Sequence, residues 1–191
     1  MDYKIITIIA FSYFYGFFEL FMSARQRFKR KRNIVTKGDK GSTWILIISI
    51  GIGYFLSFRI ATMRMGRMPH WDIFFLIGIV LILIGMIIRI YSIKTLSQQF
   101  TYTVTNIEDH KLIKTGLYKN IRHPGYLGQI IIFTATAIAL SNWLSILAML
   151  IPVISGYLYR ISIEEKFLIK QLGQEYIDYQ KETRKLIPKI F

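Results

Sequence analysis

At 191 residues with 53% hydrophobic side chains, the chain has ample apolar material for a core, but that material falls in long blocks rather than in the short alternating runs of a water-soluble domain. A net charge of +14 would suit a nucleic-acid binder, yet the basic residues gather between the apolar blocks, and a bilayer accounts for that pattern better than phosphate binding does. Cysteine is absent, which excludes disulfides and thiolate metal sites, and three scattered histidines do not form a ligand set, so no metal site is expected.

Five blocks, 4–22, 43–58, 71–93, 125–140 and 143–159, have the length and composition of membrane spans and predict an all-α integral membrane protein of about five transmembrane helices. The first block runs into basic residues without a small-residue cleavage site, as a retained span does and a signal peptide does not. Residues 25–41 read as a basic cytosolic loop lying against anionic headgroups. Gly51, Gly53, Gly78 and Gly85 fall inside apolar spans, where glycine permits close helix packing. Residues 74–88 carry no charge. Arg89, just beyond them, and Glu19 in the first span are expected to snorkel to headgroups, with the lining of a substrate cavity as the alternative for each. His70, beside Pro69, reads as loop. The last two blocks form a helical hairpin turning at Ser141, Asn142 and Trp143, with a single buried hairpin as the alternative. Loops 25–40 and 94–122 and the tail from Arg160 hold twenty of the 25 Lys and Arg, whereas Lys4, Arg59, Arg64 and Arg67 lie on the other side. That bias places the N-terminus outside and the long loop and tail in the cytosol.

The polar stretch 94–124 is too long to be an idle linker. Residues 101–105 alternate as a short extended segment does, and 110–114 suggest a helical turn ending at Gly116. Pro124 is placed to open the fourth helix, whose first amides would face an anionic group beside Tyr118, Arg122, His123 and Tyr126. Arg160 and Glu164, four apart at the end of the fifth span, either form an ordinary salt bridge or address one small volume together. Residues 166–185 then show Phe167, Leu168, Leu172, Tyr176 and Tyr179 at helical spacing, as a helix along the inner membrane surface does. The organisation expected is a three-span region, 1–93, followed by a catalytic region, 94–191, made of a cofactor loop (94–124), a hairpin (125–160) and a C-terminal cytosolic helix (161–191).

Two ordered sets of residues carry a resemblance. The first is His110, Lys111, Leu112, Ile113, Gly116 and Tyr118, followed by Arg122, His123, Pro124, Gly125 and Tyr126; the second is Arg160, Glu164, Glu165, Leu168, Gly173, Tyr176, Tyr179 and the closing Leu186, Ile187 and Pro188. In order and spacing the C-terminal half resembles the isoprenylcysteine carboxyl methyltransferase family of membrane methyltransferases, whose wider relatives include phospholipid methyltransferases. The resemblance implies S-adenosylmethionine as methyl donor and S-adenosylhomocysteine as product. Thr103, His110, Lys111, Leu112, Ile113, Tyr118, His123, Pro124, Gly125 and Tyr126 would line its pocket, Glu164 would be a further cofactor contact, and Arg160 would meet a lipophilic methyl acceptor. Arg160 and Glu164 are the residues expected to carry the chemistry. Gly125 departs from many relatives, which carry a small hydroxyl residue there.

A carboxylate acceptor would need no general base, because it is already ionised at neutral pH. Arg160 would then orient it as a planar clamp. An amine acceptor would need a proton sink, for which His123 and Glu165 are candidates. Phospholipid, small amine or thiol acceptors therefore stay open beside an isoprenylcysteine-like carboxylate. So do a membrane reductase, since some sterol reductases resemble this superfamily near the C-terminus, and a non-catalytic membrane protein.

Overall fold

The computed structural model describes residues 2–29, 34–37, 41–102, 105–107 and 111–187. Four helices are long and apolar enough to cross a bilayer: α1 (Tyr3–Lys29), α2 (Ser42–Ala61), α3 (Trp71–Leu96) and α5 (Trp143–Leu172). Between the last two lies a shorter apolar helix, α4 (Pro124–Ala139), and α6 (Gln174–Glu182) follows α5. At 16 residues α4 is about 24 Å long, short of a full hydrocarbon thickness of roughly 30 Å. Most of its side chains are buried, so it is the inner helix of an all-α integral membrane fold.

Glycine sets how closely α4 lies on α3. A Cβ added at Gly85 would stand 2.7 Å from the Gly128 carbonyl oxygen, and one at Gly128 would stand 2.8 Å from that of Gly85 and 2.9 Å from the Arg89 amide nitrogen. Gly78 meets Ala139 in the same way, and Gly53 lies against Met149 of α5. Gly51 has nothing within 4 Å, so the packing role expected of it does not hold. Gly128→Ala is therefore expected to destabilise the protein by about 1–3 kcal/mol, because the obstacle is backbone and the helices must part. Thermal unfolding of the purified protein in detergent would measure this, with Gly51→Ala as a control whose midpoint stays within a degree or two.

The hairpin expected over 125–140 and 143–159 is present as α4 and α5. Ser141 turns the chain with φ 53°, and the Asn142 side-chain oxygen accepts from the Leu144 and Ser145 amides at 3.0 and 3.2 Å, capping α5. The Asn142 amide group donates to the Met65 carbonyl at 3.0 Å, and the Met68 amide donates to Ser141 O at 2.8 Å. The α2–α3 and α4–α5 turns are thus stitched together at one end of the bundle. Lys4 meets Asp72 at 2.6 Å, Asp72 lying in the first turn of α3.

Helix α5 continues through Arg160 and Glu164 to Leu172, since no breaker intervenes, Pro152 being tolerated near its middle. It stops at Gly173, whose φ of 58° is open to glycine and costly for other residues. The helix expected over 166–185 is accordingly divided between the end of α5 and α6. An antiparallel pair joins β1 (Ile34–Lys37) to β2 (Thr105–Ile107), with Thr36 opposite Asn106. The extended segment thus falls slightly beyond 101–105, and the basic loop is tied to the polar stretch by a ladder that its charges gave no reason to expect.

Candidate active site

The polar stretch is held in place by the C-terminal tail. Ile121 and Arg184 form a parallel bridge. The Arg122 amide donates to Arg184 O at 2.7 Å, the His123 amide to Lys185 O at 3.0 Å, and the Arg184 amide returns to Asn120 O at 3.1 Å. Arg122 completes the strap with its side chain: Nε donates to Glu165 Oε1 at 2.7 Å, and Nη1 to Thr183 O at 2.6 Å. His123 Nε2 lies 3.3 Å from the same Glu165 oxygen, and Lys185 Nζ lies 3.9 Å from the other. Glu165 is therefore engaged by three basic side chains as an anchor for the strap, which leaves its oxygens poorly placed to take a substrate proton.

Gly116 opens a short 3-10 turn, Gly116–Lys119, with φ 58°, rather than ending a helical turn over 110–114; Lys111–Lys114 are not helical. That turn buries Tyr118, whose carbonyl accepts from the Tyr179 hydroxyl at 2.6 Å. Helix α6 thus closes over the loop with both of its tyrosines, Tyr176 and Tyr179, buried. Burial pushes the phenols of Tyr118, Tyr176 and Tyr179 up from their ordinary value, so all three stay neutral.

These elements line a cavity that is partly open to solvent. Lys111, Leu112, Ile113 and Tyr118 line it from the loop, His123, Gly125 and Tyr126 from the start of α4, and Glu164 from α5. Pro124 does not line it; it is the buried first residue of α4. Thr103 and His110 lie outside the described residues. Phe100, Phe167, Leu168, Tyr176 and Tyr179 add apolar and aromatic walls. Of these only Leu168, Tyr176 and Tyr179 carried a family signal, and none of the five was expected at the site.

Tyr126 connects the cavity to Arg160. Its hydroxyl donates to Glu164 Oε2 at 2.6 Å and accepts from Arg160 Nε at 3.3 Å, so it stands between the two side chains that the sequence places on one helix face. Glu164 Oε1 has no protein partner among the described residues. Arg160 is buried and is not part of the cavity wall: Nη1 donates to the Ser42 and Thr43 hydroxyls at 2.7 and 2.8 Å, and Nη2 to the Tyr102 carbonyl at 2.8 Å. It thus lies behind Tyr126, where α5 meets the start of α2.

Arg89 lines the cavity and does not snorkel to headgroups. It is 3% exposed, and its Nε and Nη2 each donate to Glu19 of α1 at 2.9 Å. Glu19 is not at the headgroups either; it also accepts from the Tyr15 hydroxyl at 2.7 Å.

The family model for phospholipid methyltransferases matches residues 73–175, which take in nearly all of α3, the cavity-lining loop, α4 and all of α5. A probable protein-S-isoprenylcysteine O-methyltransferase of Oryza sativa subsp. indica is 35% identical over 121 residues, covering 62% of this chain and 63% of that protein. The protein-S-isoprenylcysteine O-methyltransferase of Saccharomyces cerevisiae (strain ATCC 204508 / S288c) is 33% identical over 114 residues, 59% of this chain and 48% of its own length. A solved structure of the eukaryotic intramembrane Ras methyltransferase, isoprenylcysteine carboxyl methyltransferase, superposes with a TM-score of 0.60 at 28% identity, over 75% of this chain and 52% of that one. In each case the match spans less than two thirds of the relative.

Proposed function

This chain belongs to the phospholipid methyltransferase family, and from that premise we propose that it is an integral membrane methyltransferase that uses S-adenosylmethionine to methylate the carboxylate of an isoprenylcysteine-like, lipophilic acceptor. The observation that carries the reading is the cavity itself. It gathers side chains from two segments 38 residues apart, joined by the bond between Tyr126 and Glu164, and it leaves Glu164 Oε1 available to a ligand. The names of the relatives support the acceptor class.

The residues present suit the donor. Leu112, Ile113, Phe167 and Leu168 offer apolar surface to a nucleoside base, while Glu164 and the face of Tyr126 offer negative charge and a ring quadrupole to a cation. Thr103 and His110 belong to the proposed set by motif. When bound, S-adenosylmethionine supplies an electrophilic methyl group on a sulfonium sulfur. Glu164 holds the cationic part through Oε1 while Oε2 keeps Tyr126 in place. Arg160 orients the acceptor carboxylate, which takes the place of the Ser42 and Thr43 hydroxyls on its Nη1 edge. Exchange of neutral oxygens for anionic ones on a buried guanidinium is favourable. Tyr126, between the two, excludes water from the line of transfer, and fixing the reacting atoms there lowers the barrier by several kcal/mol.

Arg160 lies about 26 Å along α5 from Trp143, near the edge of a hydrocarbon layer roughly 30 Å thick, so a prenyl chain can stay in the bilayer while its carboxylate reaches the site. The cavity end of the bundle carries most of the basic residues and is assigned to the cytosol. The end marked by Lys4 and Arg67, with the N-terminus, faces outside. Residues 94–191 form the methyltransferase region on this reading, and 1–93 select the lipid.

The family description favours one second reading, methylation of a phospholipid amine. There His123 is the remaining candidate for a proton sink, since Glu165 is committed to the strap. Titration of the purified protein with S-adenosylhomocysteine tests the donor assignment common to both readings. Saturable binding that excess nicotinamide dinucleotide does not displace is expected; binding of the dinucleotide and not of the homocysteine nucleoside would overturn it in favour of a reductase.

A further inference from the structure

Glu19 lies in the first helix, far outside the matched segment 73–175, and nothing in the proposed reaction so far uses it. A carboxylate within an apolar span is costly unless it faces protein or a polar cavity. Glu19 meets that condition in a specific way. Both of its oxygens accept from Arg89, Oε1 from Nε and Oε2 from Nη2, each at 2.9 Å, and Oε1 also accepts from Tyr15. The planar guanidinium is further framed by the rings of Phe100 and Tyr102, 5.2 and 5.7 Å from its central carbon. One edge remains. Nη1 has no acceptor among the described residues, and it faces the first turn of α4, where a Cβ on residue 125 would stand only 3.0 Å from it. Gly125 puts no side chain against that edge, and both it and Arg89 line the cavity.

We propose that Glu19 is a positioning residue that locks Arg89 with its Nη1 edge turned into the cavity as a receptor for a carboxylate. The inference rests on the methyltransferase reading and extends it to the first helix. Without Glu19 the arginine would be free to rotate about its long side chain and to draw in any anion; with it, one edge is neutralised and the other has a fixed direction. The free Glu164 oxygen lines the same cavity, so the pair of open groups suits a ligand carrying both an ammonium and a carboxylate. Two molecules in the reaction carry a carboxylate: the donor, on its amino-acid part, and the acceptor.

The test uses the full chain in lipid nanodiscs and three variants, Glu19→Gln, Glu19→Asp and Tyr15→Phe, the last keeping the charge pair and removing only the hydroxyl that steadies it. Each is titrated with S-adenosylhomocysteine and with 5′-methylthioadenosine, which keeps the nucleoside and sulfur but lacks the carboxylate and ammonium, and KM is measured for a farnesylcysteine analogue. If the donor supplies the carboxylate, Glu19→Gln weakens S-adenosylhomocysteine roughly tenfold and leaves methylthioadenosine unchanged. If the acceptor supplies it, both nucleosides bind as before, while the acceptor KM rises roughly tenfold at nearly constant kcat. In either case Tyr15→Phe moves the same quantity by a smaller factor, and Glu19→Asp recovers part of the loss. Equal weakening of both nucleosides, or no change in any of the three quantities, overturns the proposal. A wild-type protein that binds neither nucleoside would overturn the methyltransferase reading and this inference with it, whereas normal wild-type binding with unaltered variants removes only the role of Glu19.

Discussion

Arg160→Lys is expected to lower methyl transfer roughly 100-fold, about 2.7 kcal/mol in the barrier, while leaving S-adenosylhomocysteine affinity within about threefold. The asymmetry follows from where the guanidinium lies. It is outside the cavity wall and behind Tyr126, so the donor loses no direct contact. The acceptor loses a planar fork whose Nη1 edge receives the carboxylate while Nε and Nη2 stay fixed on Tyr126 and the Tyr102 carbonyl, which a lysine ammonium with three donors on a flexible stem does not reproduce. Some loss of stability accompanies the change, because Arg160 ties α5 to the start of α2; a melting curve separates that effect from loss of turnover in folded protein. A variant that transfers methyl at the wild-type rate would remove the clamp from the mechanism.

Glu164→Gln is expected to act on the other substrate, weakening S-adenosylhomocysteine roughly tenfold and slowing turnover at subsaturating donor. The amide keeps the volume and an acceptor for the Tyr126 hydroxyl, so the wall of the cavity survives and the negative charge does not. Charge-assisted hydrogen bonds are about twice as strong as neutral ones, so the loss should fall on the cationic ammonium of the ligand. Tyr126→Phe removes the tether but not the charge and is expected to have the smaller effect. Titration calorimetry on the three proteins would show the order wild type, Tyr126→Phe, Glu164→Gln in decreasing affinity; the reverse order of the two variants would show that the tether, not the charge, holds the ligand.

The spans and the cavity were legible in the sequence for the same reason: both are written in local runs. A stretch such as 74–88 has one stable setting in a bilayer, and the residues from Lys111 to Tyr126 come close together because few turns separate them. Glu164 joined them through its ordered place in a second motif. The features that escaped depend on partners distant in the chain. An arginine near the end of an apolar helix looks alike whether it reaches water or a carboxylate, and the carboxylate that Arg89 meets, that of Glu19, is 70 residues away on α1. Glu165 looked available as a base until the tail brought Arg122, His123 and Lys185 around it. The backbone bridge between Ile121 and Arg184, which seats the strap, has no side-chain pattern of its own. The end of α5 was misplaced because amphipathic spacing runs on across Gly173, where only a positive φ marks the break.

The most direct test of the whole account is transfer of a labelled methyl group from S-adenosylmethionine by the purified chain in lipid, with a farnesylcysteine analogue and phosphatidylethanolamine offered in parallel. Label recovered from the farnesylcysteine as a base-labile methyl ester, with little in the phospholipid, is the predicted result. Label confined to the phospholipid amine would contradict the carboxylate assignment, and no transfer to either, from protein that binds no S-adenosylhomocysteine, would contradict the donor cavity on which both assignments stand.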